Sequence, residues 1–156
     1  MSLLLARAAV NDANIHFDRL YSYLIPAQLV GKVYPGSMVL VPFGRGNKAR
    51  MAVVLAVEEA EETDAPQRLK SLYDAAPEEA RLTPDLLELV RFLKERTFCT
   101  WFEAVKAVIP YGAQYRPAMV DGRPVMQSRL TRSTEKLYKL ARALPEKPKP
   151  GPRQLA

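Results

Sequence analysis

Residues 38–57, MVLVPFGRGNKARMAVVLAV, constrain the fold more than any other part of the chain. Two apolar runs rich in β-branched residues, 38–41 and 51–57, flank a turn that contains Gly46 and Asn47. Runs of this length bounded by turn residues are typical of β-strands, and a Gly-Asn pair at the reversal indicates a hairpin. Basic residues and backbone donors at 44–50 suit contact with phosphates. From these residues alone, the alternative is a hairpin tip that is exposed to solvent and binds no phosphate.

The first 75 residues are predicted to be rich in short β-strands. Residues 3–10 form an apolar run, residues 15–17 can resume extended structure after a turn, and residues 20–25 are stopped by Pro26. An acidic loop is predicted at 58–66, followed by a short extended piece at 68–73. Several short, turn-bounded strands are most economically arranged as a small barrel or curled antiparallel sheet.

Two helices are predicted after this region. Thr83 is a good N-cap, Pro84 suits the first helical position and Asp85 suits the first turn. A second helix is predicted at 100–109 and ends before Pro110. We expect both helices to cap the sheet, which gives an α+β fold: a small β-barrel-like antiparallel sheet capped by two helices.

The remainder of the chain is predicted to be a linker and the start of a second domain. Residues 111–127 are rich in turn-forming residues and are interpreted as the linker. A third helix is predicted within 128–144, with an apolar side that nothing later in the chain can cover. Four prolines in 145–156 predict an extended or disordered tail. We therefore expect the chain to stop inside its second domain.

The net charge of +6 comes from one end of the chain. Residues 123–156 carry nine Lys or Arg against two Glu, whereas the first 122 residues carry fourteen basic and fifteen acidic residues. A basic tail behind a head of segregated charge fits a nucleic-acid partner better than a small acidic substrate.

Motifs for several functional classes are missing from the sequence. It contains no GxxxxGK[ST] or GxGxxG phosphate loop and no GxSxG nucleophile motif, and His16 and Cys99 are the only residues of their types. No catalytic site, metal site or cofactor is therefore predicted for this chain. It also has no signal peptide pattern and no apolar run long enough to span a bilayer, so we expect a cytoplasmic protein without membrane contact.

Short motifs in a characteristic order identify a family resemblance. They are YSYLIP at 21–26, PG at 35–36, VLVPFG at 39–44, LK at 69–70, TPDL at 83–86 and VIP at 108–110. In this order and spacing they resemble the N-terminal part of the primosomal protein N′ (PriA) family of bacterial replication-restart DNA helicases. The resemblance covers about residues 3–110, and residues 128–144 resemble the first helix of the family's winged-helix domain.

The resemblance implies a binding site and its residues. The N-terminal domain of this family binds the 3′ end of the nascent leading strand at an arrested replication fork. By resemblance, Tyr21 matches the pocket aromatic, Ser22 the pocket acid, Gly44 the glycine of the PFG turn and Lys70 the pocket lysine. These side chains suit base stacking, close backbone approach and phosphate contact. Ser22 departs from the family, which usually has Asp there, and a hydroxyl is a weaker acceptor than a carboxylate.

The resemblance also implies the place of the chain in a larger protein. Residues 1–110 would be the 3′ DNA-end-binding domain of a helicase whose ATP-hydrolysing core and zinc-binding insertion, with their ATP and zinc, lie in parts absent from this chain. The expected partner is branched DNA with a 3′ end. Replication-restart proteins and the single-stranded-DNA-binding protein would be reached through the parent protein. The alternative is a protein-interaction domain that docks onto replication partners, with only incidental DNA contact.

Overall fold

A computed structural model describes residues 2–61, 69–110 and 114–129. Within these ranges the chain forms strands β1 to β7 and helices α1 and α2. Their bounds are β1 Ser2–Val10, β2 Tyr21–Leu24, β3 Met38–Phe43, β4 Lys48–Glu61, β5 Asp74–Ala75, α1 Pro84–Arg96, α2 Trp101–Val108, β6 Tyr115–Val120 and β7 Arg123–Ser128. The predicted α+β class is confirmed. No helix in the described ranges is both long and apolar enough to cross a membrane.

Five strands form one antiparallel sheet in the order β2-β1-β4-β3-β5. The hairpin predicted from residues 38–57 is confirmed as β3 and β4, paired from Phe43 opposite Lys48 to Met38 opposite Val53. The register of β1 against β4 shifts between Arg7 and Ala8, which is a β-bulge. A bulge bends its strand and increases the local twist, so it helps the sheet to curl.

Residues 70–76 connect the two edges of the curled sheet. The Leu24 N–H of β2 donates to the Lys70 carbonyl at 2.9 Å, and the Leu72 N–H donates back to the Leu24 carbonyl at 3.0 Å. The next residues cross to β3, where the Tyr73 N–H donates to the Leu40 carbonyl at 2.8 Å. The same short segment therefore bonds to both edge regions and gives the sheet its barrel-like shape.

Each face of the sheet has its own apolar core. Met38, Val53 and Leu55 point to the face that packs against α1 and α2. Alternate residues, including Val39 and Val41, point to the interior of the curl, together with Tyr23 and Leu72. A strand buried on both faces has no polar side, which explains why residues 38–41 form a continuous apolar run.

The two helices cover the sheet as predicted. Helix α1 begins at Pro84 after Thr83, and its Val90 is fully buried. Helix α2 begins with a capping box: the Glu103 N–H donates to the Thr100 hydroxyl, and the Glu103 carboxylate accepts from the Thr100 N–H. These hydrogen bonds from the helix start lower the pKa of Glu103, the backbone bond being the larger cause.

The predicted turn-rich linker at 111–127 is wrong in its local structure. Strands β6 and β7 pair over their whole length as a hairpin, with positive φ at Asp121 and Gly122 in the turn. The hairpin is docked on the domain, because the Met126 N–H donates to the Asp74 carboxylate at 2.7 Å. Prolines at 117 and 124 argue against strands when only the sequence is considered, because proline has no N–H to donate to a neighbouring strand. A two-stranded hairpin tolerates them because each strand has one unpaired edge.

Two other local predictions differ from the structure. Residues 15–17, expected to be extended, form one 3-10 turn, which the Asn14 side chain caps by accepting from the His16 N–H. Residues 58–61, expected in an acidic loop, continue β4 because they pair with the start of β1. The predicted helix within 128–144 and the tail at 145–156 lie outside the described residues, apart from 128–129.

Candidate nucleic-acid interface

One open cavity of about 650 Å³ lies at the end of the curled sheet, next to the β3–β4 turn. Its lining includes all four residues that the sequence predicts as a binding site: Tyr21, Ser22, Gly44 and Lys70. They come from three separate segments, namely the start of β2, the turn after β3 and the segment that links the sheet edges. We refer to this cavity as the main cavity.

Tyr21 presents a half-buried ring to the main cavity. The rings of Tyr21 and Phe43 form a T-shaped pair with centroids 5.2 Å apart and planes at 87°, and the Arg19 guanidinium lies over the Tyr21 ring, 5.1 Å from its centroid. The Tyr21 hydroxyl donates to the Phe17 carbonyl at 2.8 Å. The ring is therefore positioned by Phe43, by Arg19 and by its hydroxyl bond, and it remains half-buried and not sealed inside the core, as a stacking surface requires.

Lys70 and Gly44 are in direct contact across the main cavity. The Lys70 ammonium donates to the Gly44 carbonyl at 3.0 Å, although the two residues are 26 positions apart. Both residues are exposed. An ammonium has three N–H donors, so one bond does not exhaust its capacity to bind an anion. Gly44 has φ +73°, and a Cβ placed on it would meet no atom within 4 Å.

Ser22 differs from the other three residues because its side chain is already engaged. It lies opposite Arg7 in the β1–β2 register, and its hydroxyl accepts from the Arg7 guanidinium at 2.8 Å. Successive residues of a strand point to opposite faces, so Tyr21 and Tyr23 share the other face. Ser22 thus borders the main cavity and also the shallow depression that Arg7 and Arg19 line.

Tyr23 and Pro42 form a buried part of the lining. The Tyr23 hydroxyl donates to the Pro42 carbonyl at 3.3 Å, which ties β2 to the end of β3. Burial, with a smaller contribution from the neighbouring Tyr21, raises the pKa of Tyr23 to about 12. This side chain therefore stays neutral at physiological pH and supports the cavity from below.

The charge at the main cavity is mainly basic. Arg45 and Lys70 line it, and the one carboxylate among its described lining residues, Asp12, forms an ion pair with Arg50. Of the basic residues at the β3–β4 turn, Arg45 lines the cavity and Arg50 pairs, whereas Lys48 is outside the lining. Within the described ranges, no three His, Cys, Asp or Glu side chains form a group that could hold a metal ion.

Several residues at the main cavity were not singled out from the sequence. Phe17 and Asn14 reach it through the loop before β2, and Phe43 supports the Tyr21 ring. Phe43 lies within the VLVPFG motif next to Gly44, so the motif could have indicated it as a residue of the site. The loop residues carried no such signal, because only the packing of the loop beside β2 brings them to the cavity.

The arrangement combines an aromatic face, an exposed ammonium and an open glycine backbone at one edge. Aromatic faces stack on nucleobases of any sequence, and an ammonium pairs with a phosphate. A residue without a side chain allows a sugar or phosphate to approach the main chain. Together these groups can accommodate a nucleotide.

Comparison with known proteins finds the same relationship. The family model described as the PriA 3′ DNA-binding domain (3′BD) matches residues 9–110, well over half of the chain. Replication restart protein PriA of Chlamydia trachomatis is 29% identical over 100 residues, and that of Bacillus subtilis is 30% identical over 107 residues. These alignments cover 62% and 67% of this chain but 13% of each relative. The chain thus spans a small part of the length of the curated relatives it matches.

Proposed function

This chain belongs to the family of PriA 3′ DNA-binding domains, and we propose that its main cavity binds the 3′ end of a DNA strand at an arrested replication fork. The observation that carries the proposal is the meeting of Tyr21, Gly44 and Lys70 at one open cavity. The family resemblance independently assigns the same residues to a pocket. A cavity lined by an aromatic ring, a cation and bare backbone is suited to the end of a strand.

Each group has a distinct part in the proposed complex. The terminal base lies against the Tyr21 ring, on the face away from the Arg19 guanidinium, while the T-shaped contact with Phe43 holds the ring in place. Lys70 pairs with the last phosphate while keeping its bond to the Gly44 carbonyl. Gly44 lets the terminal sugar approach the main chain, because no side chain occupies that space. Binding is expected to tolerate any terminal base, since stacking does not read base edges.

Ser22 has a supporting part in this proposal. Its hydroxyl is held by Arg7, so it offers the strand end one remaining acceptor position in place of two carboxylate oxygens. The Arg7 guanidinium also adds positive charge behind β2. We therefore expect end recognition to depend more on Tyr21 and Lys70 than on Ser22.

The whole protein's role is part of the proposal. Both relatives are named replication restart protein, and this chain would supply the DNA-binding part of such a protein in the cytoplasm. Unwinding with ATP, zinc binding and contacts with other replication-restart proteins would belong to other regions of that protein.

Fork DNAs that differ only at the 3′ terminus test the proposal. The chain is expected to bind a fork with a free 3′ hydroxyl at the junction more tightly than the same fork with a 3′ phosphate, measured by fluorescence anisotropy. Tyr21→Ala should weaken binding to the free end by about 5-fold to 100-fold, the usual range for a lost base–aromatic contact. Lys70→Ala should also weaken it and reduce the salt dependence.

Matched variants control for general effects on the fold and charge. Tyr34→Ala removes an exposed ring that lies beside Arg81, and Lys32→Ala removes an exposed cation in the turn after Gly31; neither residue lines the main cavity. Both should bind like the parent chain. Equal affinity for the free and phosphorylated termini would exclude end recognition. No fork affinity, together with retention of protein partners after nuclease treatment, would support the protein-interaction alternative.

A further inference from the structure

Two further grooves lie beyond the main cavity, the first next to it and the second next to the first. The first, the side groove, has a volume of about 360 Å³ and shares Asp12, Ala13 and Asn14 with the main cavity. The second, the far groove, has a volume of about 390 Å³ and shares Phe102 and Lys106 with the side groove. Neighbouring concave regions thus share lining residues from the main cavity to the hairpin of β6 and β7, and we refer to this series as the track.

Exposed apolar side chains line the track at intervals. Phe98, in the connection between α1 and α2, is 101% exposed, and Ile15 is 61% exposed; both line the side groove. Phe17 is 63% exposed where the main cavity begins, and Tyr115 lines the far groove. A fully exposed phenylalanine beside a groove gains nothing from the fold, so its ring is available to a ligand.

The charges along the track favour an anionic occupant. Lys106 lines both grooves and Arg129 lines the far groove. Two carboxylates line the side groove: Asp12 pairs with Arg50, whereas Glu103, whose pKa is lowered by its bonds at the helix start, balances the charge of Lys106. The excess positive charge therefore lies in the far groove, where none of the described lining residues is a carboxylate. Grooves that combine cations with exposed rings commonly bind a single nucleic-acid strand, whose phosphates follow the cations and whose bases stack on the rings.

We propose that single-stranded DNA continues from the main cavity along this track, with a base against Phe98 and phosphates near Lys106 and Arg129. The proposal rests on the proposed function, because the strand that enters the side groove is the one whose 3′ end occupies the main cavity. The lining residues shared with that cavity and the two cations of the far groove favour DNA over an apolar peptide as the occupant. The track thus makes affinity depend on strand length as well as on the terminus.

A length series of oligothymidylates with free 3′ hydroxyls tests the proposal. Binding of the whole chain is measured by competition against a labelled fork, from a dinucleotide to about ten nucleotides, which spans typical site sizes. Affinity should rise well beyond that of the dinucleotide as the strand fills the grooves. Phe98→Ala should remove about 5-fold or more of that rise, and Lys106→Gln should reduce it and its salt dependence. Neither variant should change dinucleotide affinity, because neither residue lines the main cavity.

Matched controls separate the track from general surface effects. Phe92→Ala removes a 54% exposed ring on α1 that lies outside all three concave regions, and Lys32→Gln removes an exposed cation elsewhere. Both should preserve the whole length series. If Phe98→Ala and Lys106→Gln leave the rise with length intact, the track is not used. If instead the wild-type chain shows the rise but Tyr21→Ala has no effect at any length, the proposed function fails while the track remains supported.

Discussion

Gly36 and Gly44 have similar backbones in opposite surroundings. Their φ angles are +94° and +73°, a region that favours glycine. Gly36 is buried against the main chain before α1, where a Cβ would overlap the Leu82 carbonyl oxygen. Gly44 is exposed, and a Cβ there would meet nothing within 4 Å. Glycine serves close packing at the first position, whereas at the second it leaves open space beside a basic cavity.

The same contrast holds for the two faces of the sheet. On one face, Met38, Val53 and Leu55 are covered by the two helices. The other face is closed by the curl of the sheet, and at the end of this curl Tyr21 stays half-buried. Burial of the apolar side chains on the covered face stabilises the fold. The end of the curl keeps the ring, cation and bare backbone that a ligand can reach, so substitutions in the two regions should affect different measurements.

Gly36→Ala is expected to cause the largest loss of stability. The left-handed backbone strains an alanine by about 1–2 kcal/mol, and the overlap with Leu82 forces a backbone shift of comparable cost. The free energy of unfolding in urea should fall by about 3 kcal/mol or more. Gly44→Ala, which has the strain without the overlap, should lose about 1 kcal/mol and also bind a DNA end more weakly. Equal losses of stability in the two variants would contradict the contrast between a packed and an open glycine.

Tyr23 should make the protein sensitive to alkali. Its pKa is about 12 in the folded chain against about 10 unfolded, so folding favours the neutral hydroxyl. The stability from this group is complete below about pH 10 and is lost as the pH rises towards 12, by about 1.4 kcal/mol for each pH unit. The free energy of unfolding in urea, measured at several pH values, should fall with this slope in the parent chain. In Tyr23→Phe the fall between pH 10 and 12 should be smaller by the same amount. Equal slopes in the two proteins would show that water in the main cavity hydrates the Tyr23 hydroxyl in the folded chain.

Thr100→Ala should have the smallest effect. It removes the side-chain cap of α2, and loss of such a cap typically costs about 1 kcal/mol. The partner Glu103 has a lowered pKa, so its contribution is present above its ordinary pKa and is lost as the pH falls through the lowered value. Hydrogen exchange should show faster exchange at the start of α2. A loss as large as that of Gly36→Ala would mean that the cap, and not the packing, holds this face together.

Local sequence patterns correctly predicted the elements that are determined by residues close together in the sequence. The β3–β4 hairpin follows from two apolar runs around a turn, and the start of α1 follows from Thr83 and Pro84. Predictions were wrong where contacts with residues distant in the sequence determine the local structure. Residues 58–61 look like an acidic loop but form strand because β1 lies beside them, and β6–β7 is docked through Asp74, more than fifty positions earlier.

The sequence by itself determined the family, the β3–β4 hairpin, the two helices, and which residues to test as a site. Tertiary structure alone decided that Lys70 reaches the Gly44 carbonyl, that Arg7 engages Ser22, and that two grooves continue from the main cavity. The physical reason is the range of the interactions. Turn and capping preferences act over a few neighbouring residues, whereas a cavity exists only after the sheet has curled and brought distant segments to one edge.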